Sequence, residues 1–294
     1  DANNCRSSWT TIQTLAANPV FVAGDNGRKV AVSFTENNSW SEARIRVTYP
    51  ATGAATAIGC STDNFAIRPA SLNTTVSDND WQTAGTARML ANTAASGGNV
   101  HKAGQPFTLQ ATAVNAAAAT TTNYIGTPLA ILSTCVDTGC TATFGTFSVG
   151  TGTAVAGVIN SSTANYTEAG AFSLQLQDQI FSSVDAADGT PATCLGQYVC
   201  SAVLGVGRFV PDHFALSATS IVNRADLCPA GVGCPAAFTY MGEQLNAVFT
   251  LTAQEAGGGT TQNYAGTLAQ LNPAAAGNPL ALGALDNAAT RTPL

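Results

Sequence analysis

The sequence predicts an all-β protein built from tandem immunoglobulin-like β-sandwich domains with local disulfides. Three features support this fold class. Short segments in which apolar and polar residues alternate are separated by turns that contain Gly and Pro, as in β-sandwiches. One long segment occurs twice, and the eight cysteines include three closely spaced pairs. No stretch has the apolar spacing of a convincing amphipathic helix.

The repeated segment lies at Phe107–Thr127 and again at Phe249–Thr267. Both copies begin with Phe-Thr-Leu, alternate between apolar and polar residues, pass through a loop of small residues and end on Thr-x-Asn-Tyr-x-Gly-Thr. The alternation has a period of two, which is that of a strand with one buried and one exposed face. A unit used twice is a module, so this segment is predicted to belong to a β-domain that the chain repeats.

A second match precedes each copy of the repeated segment. Asp63–Leu72 recurs as Asp212–Ile221, with Asp, Phe, Ala and Ser at matching positions. The number of residues that separates matching positions is smaller for Phe107 and Phe249 than for Asp63 and Asp212, and it is smaller again for Tyr124 and Tyr264. A falling separation predicts that loops shorten from the first copy to the second while strands persist.

The matches divide the chain into three parts. Residues 1–62 are expected to be the closing strands of a preceding, partial β-domain, because Trp40–Ala43 resembles Tyr166–Ala169. Residues 63–207 are predicted to form a complete immunoglobulin-like sandwich, and residues 208–294 a second copy that is incomplete at its C-terminal end. We expect either that the polypeptide continues beyond these residues or that another chain supplies the missing strand.

The cysteines are predicted to be oxidised, because three local pairs bracket Gly or Pro as short disulfide-closed loops do, which leaves the other two to each other. The predicted disulfide pairs are Cys5 with Cys60, Cys135 with Cys140, Cys194 with Cys200, and Cys228 with Cys234. Spacing leaves the connectivity open. A zinc site is the alternative, disfavoured because four or five residues lie within each close pair and no histidine accompanies them. Disulfides indicate the periplasm or the cell exterior.

Composition narrows the functional classes. Asp, Glu, Lys and Arg make up 10% of the residues, so Thr, Ser, Asn, Gln and Ala must cover the surface, which is typical of exported β-proteins. The formal net charge is −6 and the 11 basic residues are scattered, which argues against nucleic acid as a partner. The chain contains no apolar run long enough to span a membrane.

The string Gly207–Phe214, which reads Gly-Arg-Phe-Val-Pro-Asp-His-Phe, is followed by Phe238–Gly242 and the second copy of the repeated segment. Together they resemble the repeated domain, of uncharacterised function, in large bacterial surface proteins of the MSHA-type pilus biogenesis group (MshQ-like). The resemblance covers about residues 60–294, and Asn64–Pro69 departs from the fuller motif. It implies an exported component that acts at the cell surface beside a type IV pilus system, and it implies no catalytic residues.

Two histidines are candidate site residues. His213 lies between Asp212 and Phe214 at a predicted domain boundary, where it would be a metal ligand or a pH-sensitive hinge. Because Asn64 occupies the matching position in the first copy, we expect instead that His213 is hydrogen-bonded within the linker. His101 precedes a strand and has no partner nearby in the sequence.

An oxygen-rich loop follows the strand-like run that ends near Gln177. Asp178, Asp185 and Asp188 are candidate ligands for Ca²⁺ there, as in other extracellular sandwiches, although their spacing matches no EF-hand. A solvated acidic loop is the favoured interpretation. No other metal or cofactor is expected.

Two further pairs of residues occupy matching positions. Tyr124 and Tyr264 are predicted to pack at the end of each sandwich and to hydrogen-bond a loop through their hydroxyls, with exposed contact aromatics as the alternative. Glu42 and Glu168 are expected to be strand-entry residues rather than a catalytic pair. No motif for nucleophilic, phosphate or dinucleotide chemistry is present, so the chain is not predicted to be an enzyme.

These features together predict a non-enzymatic extracellular structural or adhesive component, a stalk or adhesin associated with a type IV pilus-like system. Its partners would be proteins of a pilus or surface assembly. The first alternative is a subunit of an extracellular filament that self-associates by strand exchange. The second is a carbohydrate- or calcium-binding module.

Overall fold

Strands form nearly all of the regular structure in the computed structural model, which describes residues 5–8, 10–14, 20–29, 33–50, 52–78, 87–135, 145–150, 152–222, 242 and 246–271. The strands are β1 Trp40–Ala43, β2 Arg46–Tyr49, β3 Ala57–Cys60, β4 Phe65–Ile67, β5 Ser71–Asp78, β6 Arg88–Met89, β7 His101–Lys102, β8 Phe107–Val114, β9 Leu129–Cys135, β10 Phe147–Ser148, β11 Val158–Tyr166, β12 Gly170–Asp178, β13 Val199–Cys200, β14 Leu204–Val210, β15 His213–Val222 and β16 Asn246–Gln254. Short 3-10 helices lie at Ala23–Asp25, Ser183–Asp188 and Gly266–Leu268. The all-β prediction is confirmed.

The first sheet is antiparallel and has the strand order β10-β11-β8-β5-β6. Its centre is β8, in which alternate residues are buried as the period of two predicts. Leu109 lies opposite Val76 of β5 and Ser161 of β11, so the repeated segment is paired on both sides. The apolar face of this sheet therefore packs against a core, and its Thr-rich face is directed towards solvent.

The second sheet is built around β12, which pairs with β9, β13 and β14. β7 joins it by parallel pairing with β14, where Phe209 lies opposite His101. Leu109 and Ile159 of the first sheet and Leu174 and Val206 of the second belong to one buried cluster. Aromatic rings from both sheets fill it. The two sheets thus share a core, while the immunoglobulin-like sandwich arrangement stays a prediction.

The strand pairing sets the boundaries between units. β4 pairs with β1 and therefore goes with the N-terminal segment, whereas β14 pairs with β12 and β7. Pro69 and Pro211 lie between these groups of paired strands, while the domain boundaries expected at residues 63 and 208 stay predictions. We call residues 70–210 the first unit and the described residues from 212 to 271 the second unit.

The second unit begins with the antiparallel strand pair β15-β16, whose register repeats that of β5-β8 at its start. Ser71 lies opposite Val114 in the first unit, and His213 lies opposite Gln254 in the second. Ser71 therefore corresponds to His213 in the structure, and Pro69 to Pro211. The match of Asp63–Leu72 with Asp212–Ile221, which the sequence favours, is wrong for these strands.

The loop that closes the repeated segment has the same length in both units. The Thr121 amide donates to Ala113 O (2.9 Å) in the first unit, and the Thr261 amide to Ala253 O (3.0 Å) in the second. This loop does not shorten, which corrects the expectation from the falling sequence separation. A bulge interrupts the register of β15 with β16 between Ser217 and Ser220, whereas β5 and β8 pair without interruption.

Two of the expected disulfides lie in the described residues. Cys5 is bonded to Cys60 and Cys194 to Cys200. The predicted pairs of Cys135 with Cys140 and of Cys228 with Cys234 fall, apart from the backbone of Cys135, outside the described residues. Within the described ranges, no helix is long and apolar enough to cross a membrane.

Candidate functional site: the joints between units

The first and second units are joined through a buried carboxylate. Glu168 lies in the turn between β11 and β12. Its Oε1 accepts hydrogen bonds from the amides of Ala169 (2.7 Å) and Asn263 (3.0 Å), and its Oε2 accepts one from the Gln262 amide (2.8 Å). Hydrogen bonds to a charged acceptor are stronger than neutral ones. One side chain of the first unit therefore holds two consecutive amides of the second.

The loop that Glu168 holds is part of the repeated segment. We call residues 115–124 of the first unit and 255–264 of the second the Asn-Tyr loop. Within the second copy, both carboxylate oxygens of Glu255 accept amides of the same loop, from Gly257 (2.7 Å) and Gly259 (2.8 Å). These contacts fix the loop in the shape that presents Gln262 and Asn263 to Glu168.

A second set of contacts surrounds the linker residue Asp212. Its Oδ1 accepts a hydrogen bond from Gln105 Nε2 (3.0 Å) and lies 3.4 Å from Lys102 Nζ, and its Oδ2 is 3.1 Å from His213 Nδ1. Burial alone would raise the pKa of this carboxyl, but the hydrogen bonds from Gln105 and His213 and the charge of Lys102 outweigh it and lower the pKa. Asp212 thus ties the linker to the turn after β7.

The same turn approaches the Asn-Tyr loop of the second unit at backbone distance. The Ala256 amide donates to Ala103 O (3.0 Å). Gly104 has φ +78°, and a Cβ atom there would lie 2.7 Å from the Ala256 nitrogen. Glycine is required at this position both for its conformation and for the close approach. The contacts of Glu168, Asp212 and Ala103 together form the second joint.

The first joint uses the same loop with different partners. Asn123, which corresponds to Asn263, accepts a hydrogen bond from the Ser39 amide at Oδ1 (2.9 Å) and donates to Ser39 O through Nδ2. Asn115, which corresponds to Glu255, donates from Nδ2 to Asn37 O (3.2 Å). The Asn-Tyr loop therefore contacts the preceding part of the chain at both joints.

A buried ionic cluster lies close to the second joint. Arg88 binds the fully buried carboxylate of Asp78, and His101 Nδ1 lies 3.6 Å from the same carboxylate. His101 Nε2 is 3.2 Å from Gln105 O. Burial lowers the pKa of His101, outweighing the opposite effects of Gln105 O and Asp78. Burial thus favours the neutral form of this imidazole.

Both tyrosines of the Asn-Tyr loop are hydrogen-bonded through their hydroxyls as expected, although the partner of Tyr124 is the last residue of strand β12 rather than a loop residue. Tyr124 is buried and its hydroxyl donates to Asp178 Oδ2 (2.7 Å), while the hydroxyl of Tyr264 accepts from the Leu271 amide (2.9 Å). Burial, and then the hydrogen bond to Asp178, raise the pKa of Tyr124. Each ring anchors its loop.

The three candidate calcium ligands do not converge. The carboxylate of Asp178 is occupied by Tyr124 and by two backbone amides. Asp185 accepts the Ala66 amide (2.8 Å), which adds a contact to the first joint, and Asp188 ends a 3-10 helix. No group of three metal-ligating side chains occurs among the residues that the structure describes. Calcium binding stays the untested alternative to a solvated acidic loop.

The sequence predicted some of these residues and missed others. His213 is hydrogen-bonded in the linker as expected, to Asp212 and to Gln254 Oε1 (3.1 Å). The sequence places Glu168 only at a strand entry and indicates no partner for His101. The signal that was available is the shared position of Glu42 and Glu168, although Glu42 contacts Arg6 and Asn64 instead.

Comparison with known proteins adds a family match that includes Glu168 and Asp212 of the second joint. Residues 168–291 match the family model of DUF6701, third domain. The match supports an uncharacterised repeated domain family. The DUF6701 span begins at Glu168 and runs through β12, β14, the linker and the β15-β16 strand pair. No curated protein and no solved structure matches the chain.

Proposed function

We propose that this chain is a non-enzymatic structural or adhesive component of the bacterial cell surface, a stalk or adhesin associated with a type IV pilus-like system. The observation that carries the proposal is the repeated use of the Asn-Tyr loop. The same loop contacts the preceding unit at both joints, through Asn123 at the first and through Gln262 and Asn263 at the second. A chain whose repeated loop forms the contacts between successive units is suited to hold those units in a row.

The second joint is suited to carry force. Only Pro211 and Asp212 separate β14 from β15, so the linker has little slack. The carboxylate of Glu168 and the backbone of Ala103 connect the units at other points. Tension along the chain would therefore have to break several hydrogen bonds together before the units separate.

Composition and sulfur chemistry support the location. The bonds of Cys5 with Cys60 and of Cys194 with Cys200 fit an oxidising compartment. The low content of charged residues is typical of exported β-proteins. The link to a pilus system comes from the resemblance carried by Gly207–Phe214, and the DUF6701 match is consistent with a repeated domain.

The location is tested on intact cells of the organism that makes the protein. An antibody raised against residues 70–210 should label unpermeabilised cells, and deletion of the type IV pilus assembly genes should reduce that labelling. A matched deletion of an unrelated secretion gene should leave it unchanged. Retention of the protein inside the cell with reduced cysteines would overturn the proposal.

A filament subunit completed by strand exchange is the second candidate. It is favoured by the exposure of the paired strands β15 and β16. Phe214 is 38% exposed and Leu251 37%, whereas the corresponding Leu72 and Ala111 of the first unit are 1% and 0% exposed. Exposed strands of this kind can receive a strand from a neighbouring molecule. Concentration-dependent polymers in electron micrographs of the purified chain would support this candidate, and a monomer at all concentrations would exclude it.

A further inference from the structure

Strand β16 has one paired side and one open side. β15 pairs with one side, and among the residues that the structure describes no strand pairs with the other, which we call the open edge. The Ala253 carbonyl accepts the Thr261 amide and therefore points to the open edge. Because the peptide groups of a strand point alternately to its two sides, those of Leu251 and Phe249 face the open edge as well.

The first unit shows what occupies the corresponding edge of β8. There β11 pairs with β8, and Ile159 of β11 lies opposite Ala111. The Ile159 side chain is buried and belongs to the core cluster. The Asn-Tyr loop gives Leu251 the position of Ala111, but Leu251 is 37% exposed. In the described part of the second unit, no strand takes the place of β11.

A glycine fixes the start of β11 against the Asn-Tyr loop. The Gly157 amide donates to Tyr124 O (3.2 Å), and the Gly157 carbonyl accepts the Ala113 amide (2.8 Å). Gly157 has φ +78°, and a Cβ atom there would lie 2.3 Å from Thr121 O, so only glycine fits. A strand that docks in the same way in the second unit must also begin with glycine. The corresponding groups there belong to Tyr264, Ala253 and Thr261.

A later segment of the sequence repeats the pattern of β11. Residues 157–166 read Gly-Val-Ile-Asn-Ser-Ser-Thr-Ala-Asn-Tyr, and residues 283–292 read Gly-Ala-Leu-Asp-Asn-Ala-Ala-Thr-Arg-Thr. Both have glycine, then two apolar residues, then polar or small residues, and Leu285 takes the position of Ile159. The family match runs from Glu168, shortly after β11, to residue 291. A repeated domain that starts after one copy of a strand is expected to end with the next copy.

We propose that the open edge of β16 binds residues 283–292 of the same chain as an antiparallel strand, with Gly283 against the Asn-Tyr loop and Leu285 opposite Leu251. The Leu271 amide donates to the Tyr264 hydroxyl (2.9 Å), so the chain leaves the described residues beside this docking position. Residues 272–282 can span about 35 Å, more than the length of β16. The tether raises the effective concentration of the segment, which favours it over the same segment of a second copy.

Occupation of the edge has a consequence for association. An open sheet edge pairs with other chains unless it is covered. When residues 283–292 cover β16, a neighbouring molecule can bind there only by displacing them. The inference therefore bears on the second candidate function, which needs the edge to accept a strand from a neighbour, and it is independent of the stalk or adhesin role.

The contact is tested by NMR on the full chain. In the first unit Gln110 lies opposite Asn160 in a pair without mutual hydrogen bonds, where the Cα atoms approach to about 4.5 Å. The sequence match puts Thr250 and Asp286 in these positions. We expect an NOE between the Hα atoms of Thr250 and Asp286. Its absence would overturn the proposal.

Hydrogen exchange gives a second measurement of the same edge. The amides of Leu251 and Ala253 should be protected in the native chain. Gly283→Val places a β-branched side chain where positive φ and Thr261 O exclude it, so these two amides should lose protection by about tenfold or more. Gly277→Val lies outside the matched segment and is the matched control. The Ala111 amide of the first unit should stay protected in both variants, which excludes general unfolding.

Fast exchange of the Leu251 and Ala253 amides in the native chain, or equal losses in the two variants, would contradict the inference. A mixture of isotope-labelled and unlabelled chains identifies the source of the strand. The NOE is expected within one molecule, and an NOE found only between labelled and unlabelled chains would overturn the proposal. Polymer formation in electron micrographs is scored separately, so failure of the second candidate function is distinguishable from failure of this inference.

Discussion

Replacement of Glu168 by Gln removes the negative charge of this side chain at the second joint and keeps the size of the side chain. Gln has the same size, but one of its two terminal atoms is an amide nitrogen that cannot accept a hydrogen bond. In the better orientation the remaining oxygen keeps the amides of Ala169 and Asn263, and the Gln262 amide loses its acceptor. Loss of one hydrogen bond to a charged acceptor costs about 1.5–3 kcal/mol.

That cost should appear as local opening of the joint. About 1.5–3 kcal/mol corresponds to exchange of the Gln262 and Asn263 amides that is faster by about tenfold to a hundredfold. Glu42→Gln is the matched control, because Glu42 occupies the corresponding position but contacts Arg6 and Asn64. Unchanged exchange at Gln262 and Asn263 in Glu168→Gln, or an equal change in the control, would refute this account of the joint.

Three further predictions concern the turn, the loop and the linker. Gly104→Ala should destabilise the joint by about 1–3 kcal/mol in chemical denaturation, and more than Gly189→Ala, because both glycines have positive φ but only Gly104 has neighbouring atoms where a Cβ would lie. Tyr124→Phe should lower the free energy of unfolding by about 1–3 kcal/mol, because it leaves a buried carboxylate oxygen of Asp178 without its donor. Tyr264→Phe should lower it less, because the ring of Tyr264 is only half-buried. Equal losses in the two variants would contradict the burial argument. Because the pKa of Asp212 is lowered in the folded state, this carboxylate stabilises the fold above the ordinary carboxyl pKa, and the stabilisation is lost as the pH falls through the pKa of the folded state. Asp212→Asn should therefore flatten the acid limb of a stability–pH curve. An unaltered acid limb would exclude this contribution.

The features predicted correctly from the sequence are local ones. The period of two in Phe107–Thr127 identifies a strand with one buried face, and β8 has that pattern. The Asn-Tyr-x-Gly-Thr ending identifies a loop held by its tyrosine, which both copies show. Close cysteine spacing predicts the loop closed by Cys194 and Cys200. In each case the deciding residues are neighbours in the chain.

The Phe-Thr-Leu match of the two copies is displaced for a physical reason. Side chains on a strand repeat every two residues, so a match displaced by one such repeat keeps every side chain on the same face. The Phe-Thr-Leu match pairs Phe107 with Phe249, but the loop places Leu109 in the position of Phe249. An alignment of Phe249 with Phe107 and one with Leu109 both place an apolar side chain on the buried face of the strand. The sequence therefore does not distinguish the two alignments.

The residues of the joint could not be found from the sequence because their partners are distant. Glu168 reaches amides 94 and 95 residues away, and Gln105 reaches Asp212 across 107 residues. His101 finds Asp78 across the core. Contacts of this kind depend on the pairing of whole strands, which the alternation of residue types does not specify.

The most direct test of the central claim is a set of residual dipolar couplings measured for the first and second units in one weakly aligned sample. Units held together by Glu168, Asp212 and the Asn-Tyr loop are predicted to share a single alignment tensor at pH 7.5. Two tensors of different magnitude would show that the units move independently, and would contradict the claim that the repeated loop is a joint.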